Sequence, residues 1–275
     1  MMAPAPLVVA VFLGIVEGVT EFLPISSTGH LIVAGHLVDF TGPRADTFEI
    51  VIQTGAILAV VWHYRALLLD LVRRCLTQPA ERRMAGNLML AFLPAAVVGL
   101  AAHHWITTHL FAPGPVAGAL VVGGIIILLF EWRRPVPVTT DVFAISPRQA
   151  FGIGCAQVLS LFPGTSRAAA TILGGYGLGL SRPAATEFSF LLAIPTLLAA
   201  GGYDMYKNRA LFHAADVPMF AVGLVVSFVA ALIVIRGFLR FVQSHTFNAF
   251  AWYRIGFGLL IFLLIALHVF TSRGA

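Results

Sequence analysis

The sequence predicts an all-α polytopic membrane bundle, and three observations carry that reading. Hydrophobic residues fill 59% of the 275 positions and charged residues 11%, with a mean hydropathy of +0.92, too little polar character to clothe an ordinary soluble domain. Apolar segments recur near the ~17–25 residues that cross a bilayer as a helix, without the alternation of barrel strands. The order of segments also repeats: two short apolar runs around a polar break, then three long runs, then the same again. The expected architecture is one integral membrane domain over residues 1–275, an inverted-topology repeat with two re-entrant helix hairpins and about six full transmembrane helices. Repeat one covers about 3–132 and repeat two about 149–271.

Taken in order, residues 3–16 form an apolar run that meets Glu17 before it has crossed a bilayer, and 31–40 form another short run. Runs of this length read as re-entrant segments. Pro24 ends the first helix, and the small residues Ser26, Ser27, Thr28 and Gly29 suit the cap of a second. Full spans are expected at about 48–64, 86–105 and 115–132, separated by arginine-rich and proline-rich loops. The second copy has short runs at 149–162 and 168–180, then spans near 186–204, 217–238 and 250–271. Pro24 to Glu49 is 25 residues and Pro163 to Glu187 is 24, which aligns the copies. A re-entrant hairpin returns to its own side whereas three spans change sides, so the second copy is inverted. Discontinuous helices meeting at the midplane, their N-termini aimed at an anion, are the arrangement transporters use.

Charge sets the orientation. One side of this topology collects Arg65, Arg73, Arg74, Arg82, Arg83, Arg133, Arg134, Arg148, Arg182, Arg236 and Arg240, the other Arg44, Lys207, Arg209 and Arg273. Eleven against four assigns the first side to the cytoplasm. Both termini and the mouth of the first hairpin then face outward, and the second hairpin enters from the cytoplasm. Trp62, Tyr64, Trp105, Trp132, Tyr203, Tyr206, Trp252 and Tyr253 fall near span ends, as interfacial anchors do. The excess of 17 Lys+Arg over 12 Asp+Glu lies mostly in loops, where it orients the chain, and no nucleic-acid motif accompanies it. Cys75 and Cys155 have no partner pattern for a disulfide or a metal cluster. The N-terminus lacks the basic region of a cleaved signal peptide and is read as structure.

The polar break from Gly14 to His30 sets two carboxylates, four hydroxyls and a histidine inside apolar sequence. Glu17 and Glu21 share a helix face at a spacing where like charges repel, so they need a cation, a shared proton or both. Their hard oxygens suit Mg²⁺ or Ca²⁺, and Mg²⁺ is usually held by one or two carboxylates plus substrate phosphates. Ser26, Ser27 and Thr28 read as ordinary helix caps, or as a phosphate cradle in which one hydroxyl is a nucleophile. His30, three residues beyond Ser27, can reach that hydroxyl as base or acid. The second break, Phe162 to Arg167, repeats the proline and hydroxyls with Gly164, Thr165 and Ser166 and adds a guanidinium. Arg167 needs an anion there, either a phosphate gripped by its fork or an ion pair with Glu17 or Glu21. Glu49, Gln53, Gln157 and Glu187 line a cavity or, more simply, mediate helix packing. Gly174, Gly175, Gly177 and Gly179 permit close helix approach and form no nucleotide fingerprint, since no strand precedes them. His36, His63, His103, His104, His109, His213, His245 and His268 show no ligand spacing.

The run Glu17-Gly18-Val19-Thr20-Glu21-Phe22-Leu23-Pro24-Ile25-Ser26-Ser27-Thr28-Gly29-His30, followed by Pro163-Gly164-Thr165-Ser166-Arg167 and Thr171, resembles the undecaprenyl-diphosphatase family, also called bacitracin-resistance proteins. The likeness spans essentially the whole chain. It implies an integral enzyme of the bacterial inner membrane that removes the terminal phosphate of undecaprenyl diphosphate. That reaction regenerates the carrier for peptidoglycan synthesis and confers bacitracin resistance. A divalent cation, Mg²⁺ or Ca²⁺, and a site open to the outer face are also implied. Carried over, the family's E-x-x-x-E pair falls on Glu17 and Glu21, its serine on Ser27, its histidine on His30 and its arginine on Arg167. Ala168 stands where the pattern usually has serine, and Thr171 matches its last threonine.

Phosphoryl transfer needs charge neutralisation, an in-line nucleophile and a stabilised leaving group. Arg167 and the amides of the Ser26–Thr28 and Gly164–Ser166 turns would hold the diphosphate. Glu17 and Glu21 would position the metal, Ser27 would attack and His30 would exchange the proton. Direct attack by metal-bound water is the alternative. Expected partners are the lipid substrate, membrane lipids and a second copy in a homodimer, with no nucleic acid. The competing class is a transporter or flippase of a phosphorylated isoprenoid lipid, since fold does not fix function.

Overall fold

A computed structural model describes residues 5–110, 112–133 and 136–269, apart from the side chains of residues 103, 104, 107 and 109. His103, His104, His109, Arg134 and Arg273 thus lie outside the described side chains. The chain forms helices α1 (Pro6–Thr20), α2 (Ser27–Leu37), α3 (Pro43–His63), α4 (Arg65–Arg74), α5 (Pro79–His109), α6 (Pro113–Arg133), α7 (Pro147–Val158), α8 (Arg167–Gly177), α9 (Arg182–Lys207), α10 (Val217–Phe241) and α11 (Asn248–Ala266). Six of these, α3, α5, α6, α9, α10 and α11, are long and apolar enough to cross a membrane. The protein is a multi-pass helical bundle.

Several helices begin at a proline, including Pro43 of α3 and Pro79 of α5. A first-turn proline forfeits no hydrogen bond and its fixed φ suits the helix. These starts lie several residues before the expected spans at 48 and 86, because the polar residues between them are carried by the same helix. A second difference is α4, where the sequence reading has only an arginine-rich loop. Leu67, Leu68 and Leu71 pack on the main core while Arg73 and Arg74 stay exposed. Apolar residues at positions i, i+1 and i+4 thus make a short amphipathic helix of the linker.

The helices pair across the two halves of the sequence. α1 packs on α10, α7 on α5 and α6 on α11. In each seam a glycine lets backbones touch: a Cβ on Gly14 would lie 2.8 Å from the Gly223 carbonyl oxygen, and one on Gly258 2.8 Å from that of Ala117. Small residues are what close packing needs where lipid removes the hydrophobic drive between helices.

The correspondence between halves is sharper than the prolines suggest. α2 and α8 have 11 residues each. Each follows a serine with positive φ, 72° at Ser26 and 71° at Ser166, and each is followed by a second positive-φ residue, Asp39 at 56° and Gly179 at 86°. Matching these turns pairs Ser27 with Arg167, Glu17 with Gln157 and Glu49 with Ser189. Glu187 is therefore not the counterpart of Glu49, as the proline spacing implies.

The two ends of the bundle are tied differently. At one, Arg83 donates to the Phe143 carbonyl, Arg182 pairs with Glu131, and Glu131 also accepts the Phe247 N–H at 2.9 Å. The other holds the Arg44–Asp216 ion pair. Most expected aromatic anchors are exposed, Trp132 at 79%, but Tyr64 is buried within the core. It sits at the α3–α4 junction in the same buried cluster as Leu71 and Met84.

Candidate active site

The site lies where the two helix breaks meet. α1 ends at Thr20, a turn over residues 21–25 follows, and Ser26 enters α2. The second break runs from Leu159 to Ser166 before α8. The turns touch directly, the Ser166 hydroxyl donating to the Leu23 carbonyl at 3.4 Å.

Glu21 is the hub. Its Oε2 accepts the Ser27 hydroxyl at 2.6 Å and its Oε1 accepts Arg167 Nη2 at 3.2 Å. Both charged partners are nearly sealed, with side-chain exposures of 7% for Arg167 and 6% for Glu21. Arg167 Nη1 donates to the Ser189 carbonyl at 3.0 Å, and its guanidinium lies over the Phe22 ring at 5.6 Å. Thr171 joins the network through a 2.6 Å contact with the Ser189 hydroxyl. Of the two sequence-stated options for Arg167, the ion pair with Glu21 is formed here. The fork remains incompletely used, since buried Nε has no partner.

His30 does not reach Ser27. Its Nδ1 lies 2.7 Å from the Ser26 carbonyl oxygen, which can only accept, so Nδ1 carries the proton. Its Nε2 lies 2.7 Å from the Tyr253 hydroxyl, and its ring stacks on Phe257 at 4.2 Å. The side chain in hydrogen-bond contact with the Ser27 hydroxyl is Glu21. The helical spacing of Ser27 and His30 allows contact, but α11 draws the imidazole aside.

The two helix N-termini also differ. Ser166 caps α8, its hydroxyl accepting from Ala169 N–H at 3.1 Å, whereas Ser26 makes no such bond to α2. The first amides of α2 thus keep donors for an anion beside the Ser27 hydroxyl. In the second turn the Gly164 and Thr165 carbonyls accept from Arg254, and the Thr165 N–H donates to the Phe162 carbonyl. Thr28 and Thr165 side chains stand half-buried at the same junction.

Glu17 differs from Glu21. It is 1% exposed, and neither carboxylate oxygen has a hydrogen-bond partner. Buried carboxylates are not left in that state without a ligand or proton. Two hard, unengaged oxygens beside an anion cradle fit a divalent cation completed by phosphate oxygens. Glu21, with both oxygens occupied, fits that role less well. Among the described residues no cluster of three or more His, Cys, Asp or Glu forms a metal cage.

A family model described as Bacitracin resistance protein BacA matches residues 10–260, taking in every residue of this site. The chain belongs to that family. It is 54% identical to an undecaprenyl-diphosphatase of Nitrosomonas europaea, over 92% of this chain and 93% of the relative. It is also 53% identical to an undecaprenyl-diphosphatase of Azotobacter vinelandii over 92% of each, and 54% identical to undecaprenyl-diphosphatase 2 of Rhodospirillum rubrum over 93% of each.

Within this bacitracin-resistance fold, sequence reasoning misses Ser189, Tyr253 and Arg254. Ser189 is masked as a span residue and becomes visible only when the halves are matched at the positive-φ serines. Arg254 carries its own signal, an arginine inside an apolar run, by the same argument that singles out Arg167.

Proposed function

We propose that this protein hydrolyses undecaprenyl diphosphate to undecaprenyl phosphate and inorganic phosphate, and that Ser27 is the nucleophile. The single observation that carries the mechanism is the Ser27 hydroxyl donating to Glu21 at 2.6 Å while Arg167 holds the same carboxylate from its other oxygen. A nucleophile, its base and the group orienting that base are thus in line of contact.

The diphosphate lies against the α2 N-terminus, whose free amides and macrodipole favour its charge. Ser27 Oγ attacks the terminal phosphorus and its proton passes to Glu21. The bond from phosphorus to the bridging oxygen breaks, and undecaprenyl phosphate leaves with the electron pair. Water then attacks the phosphoserine, releasing phosphate and returning the hydroxyl. Arg167 stabilises charge on the transferring group through the donor capacity its ion pair leaves free. His30, turned toward Tyr253, acts on the position of Ser26 and α2 rather than on the proton. A divalent cation would be held by Glu17 with phosphate oxygens, where it supplies neutralisation of the phosphate charge.

The arginine asymmetry of eleven to four supports an inner-membrane orientation with both termini outward and the site opening to the outer face. The lipid tail lies between spans, and the two halves form an inverted repeat. The test is phosphate release in proteoliposomes without an ion gradient, for wild type and Ser27→Ala. Wild-type release with a loss of several orders of magnitude in kcat for the variant is expected. Movement of intact diphosphate lipid without release would identify a flippase instead. Residual Ser27→Ala turnover within about tenfold, worth about 1.4 kcal/mol, would assign attack to water.

A further inference from the structure

Arg254 lies on α11 and is fully buried, at 0% exposure, yet it forms no ion pair among the described residues. Its partners are carbonyls. Nη1 donates to Pro24 at 3.1 Å and to Thr165 at 2.9 Å, Nη2 to Gly164 at 3.1 Å and to Ala119 at 3.1 Å, and Nε to Leu120 at 3.3 Å. A guanidinium has five N–H donors in a fixed plane, and here all five are used. Two go to α6, on which α11 packs. The other three go to the two turns, one to the break before Ser27 and two to the break before Arg167.

Burying a cation without a counter-ion is costly, so the arrangement asks for a reason. The seat is also cut to shape. A Cβ on Gly123 of α6 would collide with the Arg254 guanidinium, whose Cζ would lie 2.7 Å away. Glycine in a helix interior is unfavourable, and here the missing side chain is the space the guanidinium fills.

We propose that Arg254 is a positioning residue that locks the two turns to each other and to the α6–α11 pair, so that Ser27, Glu21 and Arg167 meet. It acts through the backbone and touches no substrate. Because peptide units are planar, holding the Pro24, Gly164 and Thr165 carbonyls also fixes the rotation of the peptides that follow them. The first of these sets the entry to Ser26 and Ser27, and the last sets the entry to Ser166 and Arg167. The Ser166 hydroxyl adds one direct bond between the turns, at 3.4 Å to the Leu23 carbonyl. The proposal rests on the phosphatase reading above.

Two variants test it. Arg254→Lys keeps the charge but offers three donors from a point in place of a planar fork of five. Gly123→Ala leaves Arg254 intact and presses on its seat, and since alanine is the better helix former, lost helix propensity cannot explain any loss. Phosphate release from undecaprenyl diphosphate in detergent micelles is measured per folded molecule, with melting temperature alongside. The expected result is a fall in kcat of at least about tenfold in each variant, KM within about threefold of wild type, and a double mutant much less impaired than the product of the two. Wild-type turnover in folded protein with only a lower melting temperature would make Arg254 a fold-stabilising residue and overturn the proposal. A rise in KM at unchanged kcat would place it on the substrate and overturn it too. If Arg254→Lys does not fold, Gly123→Ala decides, and failure of both to fold counts against the proposal. Wild-type protein that releases no phosphate would defeat the phosphatase reading rather than this one.

Discussion

At the residue scale, the site divides into what charge cost reveals and what geometry alone reveals. Glu17, Glu21 and Arg167 are legible in the sequence because an ionisable group in an apolar setting demands a partner. The partner choice is not legible: Arg167 goes to Glu21 and Ser189, and His30 turns from Ser27 to Tyr253, because neither helix spacing nor composition says what α9 and α11 bring alongside. The bridging position of Arg167 makes a specific prediction. Its two terminal nitrogens face a carboxylate on one side and the Ser189 backbone on the other, a span that the single ammonium of lysine cannot reproduce. Arg167→Lys is expected to lower kcat by about 2 to 4 kcal/mol, the scale of one lost oxyanion donor, and to leave the melting temperature within a few degrees. A purely structural ion pair would tolerate lysine, so near-wild-type turnover in folded Arg167→Lys protein sinks the clamp. Arg167→Ala is the harsher change, because it leaves Glu21 buried without a cation.

At the element scale, length and hydropathy locate the six long helices, while their starts follow proline chemistry and extend past the apolar cores. The short α4 is harder to read because its ten residues contain only one buried leucine, Leu71, and its arginines dominate the composition. Seams between helices are the least legible feature. Glycines at 14 and 18 do not name the helix they meet, yet α1 lies so close to α10 that a Cβ on Gly18 would come 2.7 Å from that of Ala230 and within 2.9 Å of the Ala231 nitrogen. Since α1 carries Glu17 and leads into the Ser27 turn, this seam sets the height of the carboxylates. Gly18→Leu would force the helices apart, at a cost of about 1 to 3 kcal/mol from overpacking. A lower detergent melting temperature together with reduced kcat is expected. Unchanged stability would mean that the α1–α10 approach is looser than described.

At the scale of the whole molecule, every Lys and Arg has a place in one argument. Of the 17 basic residues, eleven lie on one side of the proposed topology and four on the other, and the remaining two, Arg167 and Arg254, are buried in the site. The pair omitted from the count is thus the pair that serves the helix breaks. Contacts at one end support the sorting, since Arg83 reaches Phe143, Arg182 reaches Glu131 and Glu131 reaches Phe247, joining loops from widely separated parts of the chain. All of these belong to the side assigned to the cytoplasm, and the Arg44–Asp216 pair belongs to the other. Impermeant thiol labelling tests the assignment in intact cells, once Cys75 and Cys155 have been replaced, both being free thiols. Gln78 precedes α5 and Ala112 precedes α6, so the two positions flank one membrane-crossing helix, and both are exposed. With the arginine-rich side inward, a single cysteine at Ala112 is expected to react and one at Gln78 to be protected until the membrane is permeabilised. The reverse pattern would turn the molecule over, open the Ser27 turn to the cytoplasm, and require the diphosphate to be cleaved on that face.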